Sequence, residues 1–523
     1  MVEGIRSSKL QIYTSSDMPK RALLQELVSP SEWNKKIAEL AMARQPNSLS
    51  VFVCGPKASG KSTFSRLLAN RWVTDDSRPR NNTWAGVAIL DIDPGQPDFS
   101  TPGNVSLVHL NEPILSPSFC RPFSDRGNIK AIRSHALASV SPAADPEHYF
   151  ECVIDLFDRY QGTLRGKCPL LINTPGWVQG TGLDLLTRLV AKLRPSDVIY
   201  MSQEGPEETV EALKSALRGA ELNELPSQPS EYTSRTALHL RTMHTMSYFH
   251  IEPALSGRGQ TQWNPEPLTS VPPLVVSYGG GRRGIYAIMC YDYQPPLTML
   301  AEAINGALVS IVEIEDKAAF QNLHTLKSRG AQTQVEGGLA MELDEKPWGT
   351  EIDASRSGTE DHLIQHSDDG LPVLPNPDGC TLDPRYSQVV GTALVRGVDT
   401  RQQSLHLLCP LLPQRFSDVI RAGHKIVLVL GKLDSPTWAY TEDAYKRSSE
   451  SSTRRDVDNQ PIGLTDADTD DDTLDVQEEV RGGQHGRSDI PWVEELHGSE
   501  KRAVGSRVWR VRRDLGRTNN ATD

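Results

Sequence analysis

The sequence predicts an α/β fold in which a doubly wound, mainly parallel sheet precedes a smaller β-rich domain. Three observations carry this. Short apolar strands ("LSVFVC", "GVAILDID", "PLLINTPG", "DVIYMS") alternate with amphipathic stretches between residues 30 and 255, the pattern of parallel strands joined by helical crossovers. The first of these strands runs straight into a glycine-rich turn and a helix, "VFVCGPKASGKSTFSRLL". From residue 270 the texture changes to strand-like runs such as "PPLVVSYGG", "GIYAIMCYDY", "LVSIVEIE", "VVGTALVRGVD" and "KIVLVLGKLD", with few long helices.

Taken in order, residues 1–28 are polar and read as a flexible leader. Ser29-Pro30-Ser31-Glu32 has the form of a capping box and opens a helix to about Arg44. The helix after Gly60 presents Phe64, Leu67 and Leu68 to a core. Residues 94–145 are rich in proline and show no clear strand. In "PEHYFECVIDLFDRY", Tyr149, Phe150, Val153, Ile154 and Phe157 share one helical face. The first domain is expected over 29–260 and the second over 270–515, the latter interrupted by two acidic insertions at 331–383 and 446–488.

Charge bounds the classes of partner. The net charge of −12 is concentrated. Residues 331–383 hold 12 acids and 2 bases, and residues 450–480 hold 11 acids and 2 bases, so the rest of the chain is mildly basic. Such acidic runs have little to bury and are expected to be disordered; the remainder is compatible with a polyanionic ligand. Seven cysteines without a CxxC pair read as reduced thiols. No run of 18 apolar residues is present, and the first residues lack the apolar core of a signal peptide.

Gly55-Pro56-Lys57-Ala58-Ser59-Gly60-Lys61-Ser62, with Thr63 beginning the helix body, fits GxxxxGK[ST] between a strand and a helix. This predicts a sheet of the P-loop NTPase type. Its glycines let backbone N–H groups converge on a phosphate, the helix N-terminus adds positive potential, Lys61 reaches the β- and γ-phosphates of ATP, and the Ser62 hydroxyl takes a Mg²⁺ position. "LDIDPGQPD" delivers Asp91 and Asp93 from a strand end. Alternation places both on one face, where one carboxylate can hold Mg²⁺ and one can accept a proton, with Gln96 near the γ-phosphate. "NTPGWVQGTG" follows another strand; the Trp177 ring at its tip either stacks on a nucleobase or packs in the core. In "SRTALHLRTMHTMSYFH" (234–250), Arg235, Arg241, His239 and His244 form either a basic lid over phosphate or a solvated basic helix. A regulatory GTPase is excluded, because the only Asn-Lys pair, Asn34-Lys35, precedes the P-loop and lacks its aspartate. Neither zinc spacing nor a Ser/His/Asp nucleophile pattern appears.

"GPKASGKST", "DIDPGQPDFSTPG", "LLINTPGWVQGTG" and "LRTMHTMSYFH" together resemble the polynucleotide 5′-hydroxyl kinases, and "GKLDSPTWAYTEDAY" and "GSRVWRVRRDLG" resemble the nucleolar, pre-rRNA-processing branch of fungi. The resemblance covers roughly 48–310 and 385–515. It implies transfer of the ATP γ-phosphate to RNA 5′-hydroxyl ends made by an endoribonuclease in the pre-rRNA internal transcribed spacer. That endoribonuclease is then a partner, and the location nuclear, within the nucleolus. It further implies Lys61 and Ser62 as P-loop lysine and magnesium-side hydroxyl, Asp93 as base with Asp91 as second candidate, Thr174, Pro175, Gly176 and Trp177 as a clasp on the RNA end, and Arg241 or Arg235 as lid arginine. The family carries a β-rich domain before its P-loop; about 47 residues precede the P-loop strand here, so adenine contacts from such a domain are not expected of these residues. Two alternatives stand beside this reading: an ATP-binding scaffold without turnover, and the sister kinase of mRNA 3′-end or tRNA processing.

Overall fold

A computed structural model describes Leu27 and residues 29–442, except 44–48, 75–85, 122–128, 229–235, 253–261, 280–283, 324–362 and positions 218, 322 and 412. The leader apart from Leu27, the insertion at 446–488, the strand-like "SRVWRVRRDL" and Arg235 lie outside the described residues. Among the described residues no helix is long and apolar enough to cross a membrane.

The first domain begins with α1 (Ser31–Ala41), which starts on Pro30 without a side-chain cap; Ser29 bonds Asn34 in place of the expected capping box. Next come β1 (Ser50–Cys54), α2 (Lys61–Val73), β2 (Val87–Asp91), β3 (Asn104–Leu110) and β4 (Ile129–Ala136). They are followed by α3 (Pro146–Thr163), β5 (Leu170–Asn173), α4 (Thr181–Leu193), β6 (Asp197–Tyr200), α5 (Glu207–Ala216), β7 (Glu221–Glu224) and α6 (Ala237–Phe249). The sheet order is β4-β3-β2-β5-β1-β6-β7. From β2 to β7 all pairings are parallel; β3 and β4 add an antiparallel edge. Two cores flank the sheet. Tyr149, Val153 and Phe157 of α3 lie on one side with Leu185 and Leu189 of α4; Phe64, Leu68 and Trp72 of α2 lie on the other with Trp33 of α1.

The hairpin of β3 and β4 falls in the passage where no strand was expected. In "NVSLVHL" polar and apolar residues alternate, with one slip at the Leu107–Val108 bulge, but both faces are covered, so the polar positions do not mark a solvent face. Asn104, Ser106 and His109 interrupt the apolar run yet are buried.

The second domain holds β8 (Leu274–Ser277), β9 (Ala287–Cys290), β10 (Leu308–Ile314), β11 (Gln365–His366), β12 (Pro372–Leu374), β13 (Ser387–Asp399), β14 (Ser404–Leu408) and β15 (Lys425–Leu430). They form one mixed sheet, β11-β12-β9-β15-β10-β13-β14-β8. This corrects the extent of the first acidic insertion. Residues 363–383 are folded: β12 runs parallel to β9, Leu363, Leu371, Val373 and Leu382 are buried, and the Asn376 amide bonds the carbonyls of Cys290 and Cys380. The acids there (Asp368, Asp369, Asp378 and Asp383) lie in the turns and loops that flank β12, whose Pro-Val-Leu is buried throughout, and a count of charge over the whole segment averages that away.

The domains are joined by buried polar contacts. Arg133 of β4 donates to Asp155 of α3 at 2.8 Å, to Glu315 at 2.9 and 3.1 Å, and to the carbonyls of Pro384 and Ser387. Its side chain is almost wholly buried. Replacing Arg133 by Ala leaves these acceptors facing one another without a cation, and the expected cost is about 3–5 kcal/mol, read from urea unfolding of the whole chain. A loss under about 1 kcal/mol would show that the network contributes no more than a surface pair.

Candidate active site

Strands β2, β5 and β1 are adjacent and parallel, so their carboxyl ends open at one sheet edge, and the three motifs that follow them meet there. The Thr174 hydroxyl and amide both donate to the Val53 carbonyl, at 2.9 and 3.3 Å, and the Ile92 amide donates to Asn173 at 3.0 Å. The loops after the three strands are therefore stitched together just before they diverge.

The P-loop turns on Gly60, whose φ of +99° suits glycine; a Cβ there would also lie 2.7 Å from the Trp33 ring, which packs beneath the loop. Lys61 is buried and its Nζ donates to the carbonyls of Gly55 (3.0 Å) and Pro56 (2.7 Å). Burial pulls the Lys61 pKa down, and the Asp93 charge opposes this. Cys54, beneath the loop, is pushed up to about 12 by burial and stays a thiol. Ser62 and Thr63 are half-buried in the first turn of α2; Lys57 and Ala58 are exposed at the tip, with Ser59 buried behind them.

The two aspartates part company, contrary to the expectation that both reach phosphate. β2 ends at Asp91, so strand alternation no longer governs Asp93. Asp91 is fully buried, its Oδ2 accepting from the Asp98 amide at 2.6 Å and its Oδ1 from the Asn173 side chain at 3.1 Å. Burial, then the neighbouring Asp98 charge, raises its pKa to about 7. Asp93 is half-buried; its Oδ1 accepts from the amides of Gly95 (2.9 Å) and Gln96 (3.1 Å), and no hydrogen bond reaches Oδ2 among the described residues. Its pKa is raised by burial and restrained by Lys61. The Gln96 side chain is exposed on the same turn.

The clasp abuts the P-loop. A Cβ on Gly176 would come within 2.8 Å of Lys57 N and 2.7 Å of Lys57 Cα, so this close approach requires glycine. Thr174 and Pro175 are buried; Trp177 is half-buried, packed on the α3–α4 core and against Gly182.

A neighbouring cluster escaped sequence reading. Arg66 is four residues beyond Ser62, on the same face of α2, and grips Asp98 through Nε at 2.9 Å and through Nη2. Burial raises the Asp98 carboxyl, but the Arg66 hydrogen bond and charge outweigh it and hold the pKa low. Arg121 lies beside them at 3.9 Å from Asp98, and His244 of α6 is buried and, chiefly through burial, pulled down to about 4, hence neutral. The only signal was the i,i+4 spacing of Ser62 and Arg66. Arg241 does not stand over the P-loop as a free lid arginine in this arrangement: its Nε and Nη2 pair with Asp434 of the second domain, Nε–Oδ2 2.5 Å, and only Nη1 has no hydrogen-bond partner among the described residues.

Among the described residues no group of three or more His, Cys, Asp or Glu side chains gathers as a metal cluster. Magnesium beside a nucleotide needs less, one carboxylate and one hydroxyl with water and phosphate completing the shell; Asp93 Oδ2 and Ser62 fit that requirement.

The family profile described as "mRNA cleavage and polyadenylation factor CLP1 P-loop" matches residues 55–251. A Gibberella zeae protein named polynucleotide 5′-hydroxyl-kinase GRC3 is 42% identical over 516 residues, 97% of this chain and 66% of its own length. The chain belongs to the polynucleotide 5′-hydroxyl kinase family. Relatives of the same name from Aspergillus fumigatus and Aspergillus niger are 40% and 34% identical over 83% and 96% of this chain. The chain spans 54% and 63% of their lengths, so it matches between about half and two thirds of each relative. Two solved structures of Clp1p with Pcf11p align over 77% and 76% of this chain and 79% and 78% of theirs, with 13% identity and TM-scores of 0.45 and 0.47.

Two outcomes follow from the geometry. Gly176→Ala is expected to push Lys57 and the P-loop aside and weaken ATP binding at least about tenfold, ~1.4 kcal/mol, in a nucleotide titration; unchanged affinity would show that clasp and P-loop shift independently. The folded Asp91 carboxyl, at about 7, binds its proton more tightly than an unfolded aspartate near ~4. Its stability contribution is therefore complete below about pH 4 and lost as pH rises to about 7. Comparing the wild type with Asp91→Asn from pH 4 to 8 should show this slope in the wild type alone, and equal slopes would refute it.

Proposed function

We propose that the chain is an ATP-dependent polynucleotide 5′-hydroxyl kinase acting on RNA ends. The observation that carries this is the convergence of Lys61, Asp93 and the Thr174–Trp177 clasp on one sheet edge, and the names of the fungal relatives support it.

The 5′-hydroxyl of the acceptor approaches Asp93 at Oδ2, the oxygen that no described hydrogen bond occupies, while Oδ1 is pinned by two backbone amides. The proton of the 5′-hydroxyl passes to Oδ2. The freed oxygen attacks the γ-phosphorus in line, the bond from that phosphorus to the β,γ-bridging oxygen breaks, and ADP leaves. Burial raises the carboxyl and brings it nearer to working pH, which favours a base. Lys61, drawn from its carbonyl partners, neutralises charge on the β- and γ-oxygens. Magnesium held on the Ser62 hydroxyl would supply further charge neutralisation, with Oδ2 of Asp93 left to the proton. Asp91 has both oxygens engaged and serves to place the Asp93 turn. Half-buried Trp177 offers its remaining face to the terminal base.

On the finer points, the acceptor is the 5′-hydroxyl end left in the pre-rRNA internal transcribed spacer, the endoribonuclease that makes it is the partner, and the place of action is the nucleolus. These rest on resemblance to the fungal pre-rRNA branch.

Transfer of label from γ-labelled ATP to a 5′-hydroxyl RNA oligonucleotide tests the reading, with a 5′-phosphate oligonucleotide as blank. Label is expected on the 5′-hydroxyl RNA alone and is expected to fall by at least about 10²-fold in Asp93→Asn and in Lys61→Ala. Full activity in Lys61→Ala, or no label in the wild type despite ATP binding, would overturn it, the latter in favour of a scaffold.

A further inference from the structure

A cleft opens where the two domains meet, walled by Pro102, Val140, Arg241, Thr242, Asp434 and Trp438. It borders the Asp93 turn directly. The Val140 carbonyl stands 3.0 Å from where a Cβ on Gly95 would be, and the Gly95 amide holds Asp93 Oδ1. The Gly103 amide, next to Pro102, donates to the carbonyl of Pro94 at 2.9 Å. The P-loop and clasp meet each other through Lys57 and Gly176. The cleft reaches the turn through a different pair, Gly95 and Val140, and so lies along another wall of the site.

Its chemistry is mixed in a particular way. Most of its hydroxyls are engaged: Thr101 and Thr392 bond each other at 2.6 Å, and Thr245 donates to the Arg241 carbonyl at 2.9 Å. What faces the opening is the Arg241–Asp434 pair, whose Asp434 side chain is 35% exposed, together with the half-buried Thr242. A guanidinium alone would suit any phosphate. A carboxylate beside it repels an isolated anion but accepts from a sugar hydroxyl, and a threonine hydroxyl can both donate and accept. Cation, carboxylate and hydroxyl side by side suit a phosphodiester that carries a neighbouring hydroxyl, which RNA has and DNA lacks.

We propose that this cleft reads the ribose-phosphate next to the acceptor's 5′ end: Arg241 donates to the phosphodiester through Nη1, the nitrogen that Asp434 does not engage, while the exposed part of Asp434 and Thr242 engage a 2′-hydroxyl. The inference rests on the kinase reading and names the residues that make it selective for RNA. Without the hydroxyl, Asp434 keeps its bonds from Arg241 but gains none from the strand and brings its negative charge against it, and a site that bonds a hydroxyl discriminates against the analogue without it. Trp438, buried behind the pair and tilted against Phe249 at 6.0 Å, holds this wall in place.

The test uses the full chain and two 5′-hydroxyl oligonucleotides of one sequence, one all-ribose and one with deoxyribose in its first two positions only. The wild type is expected to favour the all-ribose oligonucleotide by about tenfold in kcat/KM. Asp434→Ala is expected to bring that ratio to within about twofold. Thr242→Val, which removes a hydroxyl with no hydrogen bond to the second domain among the described residues, should lower it part of the way, so a folding defect in the first variant does not decide the matter. A loss of activity that scales both substrates equally in both variants would overturn the proposal. Equal labelling of both oligonucleotides by the wild type would overturn the cleft assignment and leave the kinase reading standing. Labelling of neither would overturn both.

Discussion

Parallel pairing of β2, β5 and β1 is the constraint on which the rest of this site depends. Neighbouring strands lie about 4.8 Å apart, so three loops leaving the same edge of three adjacent strands are forced within about 10 Å of one another. The P-loop, the Asp93 turn and the clasp could be far apart in sequence for this reason. Their proximity comes from the sheet order, and the bonds from Thr174 to Val53 and from Ile92 to Asn173 hold the loop bases in register. Glycine at position 176 then allows the clasp backbone to lie against Lys57, which a side chain would prevent.

Within that frame one short segment carries three carboxylates with three different fates. Asp98 is held charged by Arg66, Asp91 is driven toward neutrality by burial, and Asp93 stands half-buried between two amides and the field of Lys61. Identical side chains thus acquire separate tasks from their surroundings, the general way in which a fold assigns acid, base and structural roles. The Arg66–Asp98 pair also ties α2, which carries Ser62, to the segment that carries Asp93. The turn of Asp93 and the first turn of the helix that bears Ser62 are thereby coupled through a contact one helical turn away.

The second domain is part of the same construction. Tyr248 of α6 both donates to the Thr392 carbonyl at 3.1 Å and accepts from its amide at 3.0 Å, and His250 meets Glu442 at 2.7 Å. Helix α6 is consequently held by β13 and by the segment after β15, and its arginine faces the second domain. A helix that the sequence leaves between a basic lid and a solvated basic helix is, in this arrangement, a wall shared by two domains.

Much was written in the sequence. The strand–turn–helix of Gly55 to Thr63, the acids ending β2, the clasp after β5 and the change to a β-rich domain are local patterns, and each element that bears them formed near its expected place. Local pattern failed where both faces of a strand are covered, as in β3, and where charge averaged over a segment concealed core residues, as in 363–383. Tertiary structure alone decided which of Asp91 and Asp93 keeps an oxygen open, that Arg66, Asp98, Arg121 and His244 gather, and that Arg241 pairs with Asp434. The physical reason is common to all three. Sequence records which groups can ionise or bond, whereas burial and the partners brought from distant strands determine which of those groups are already satisfied.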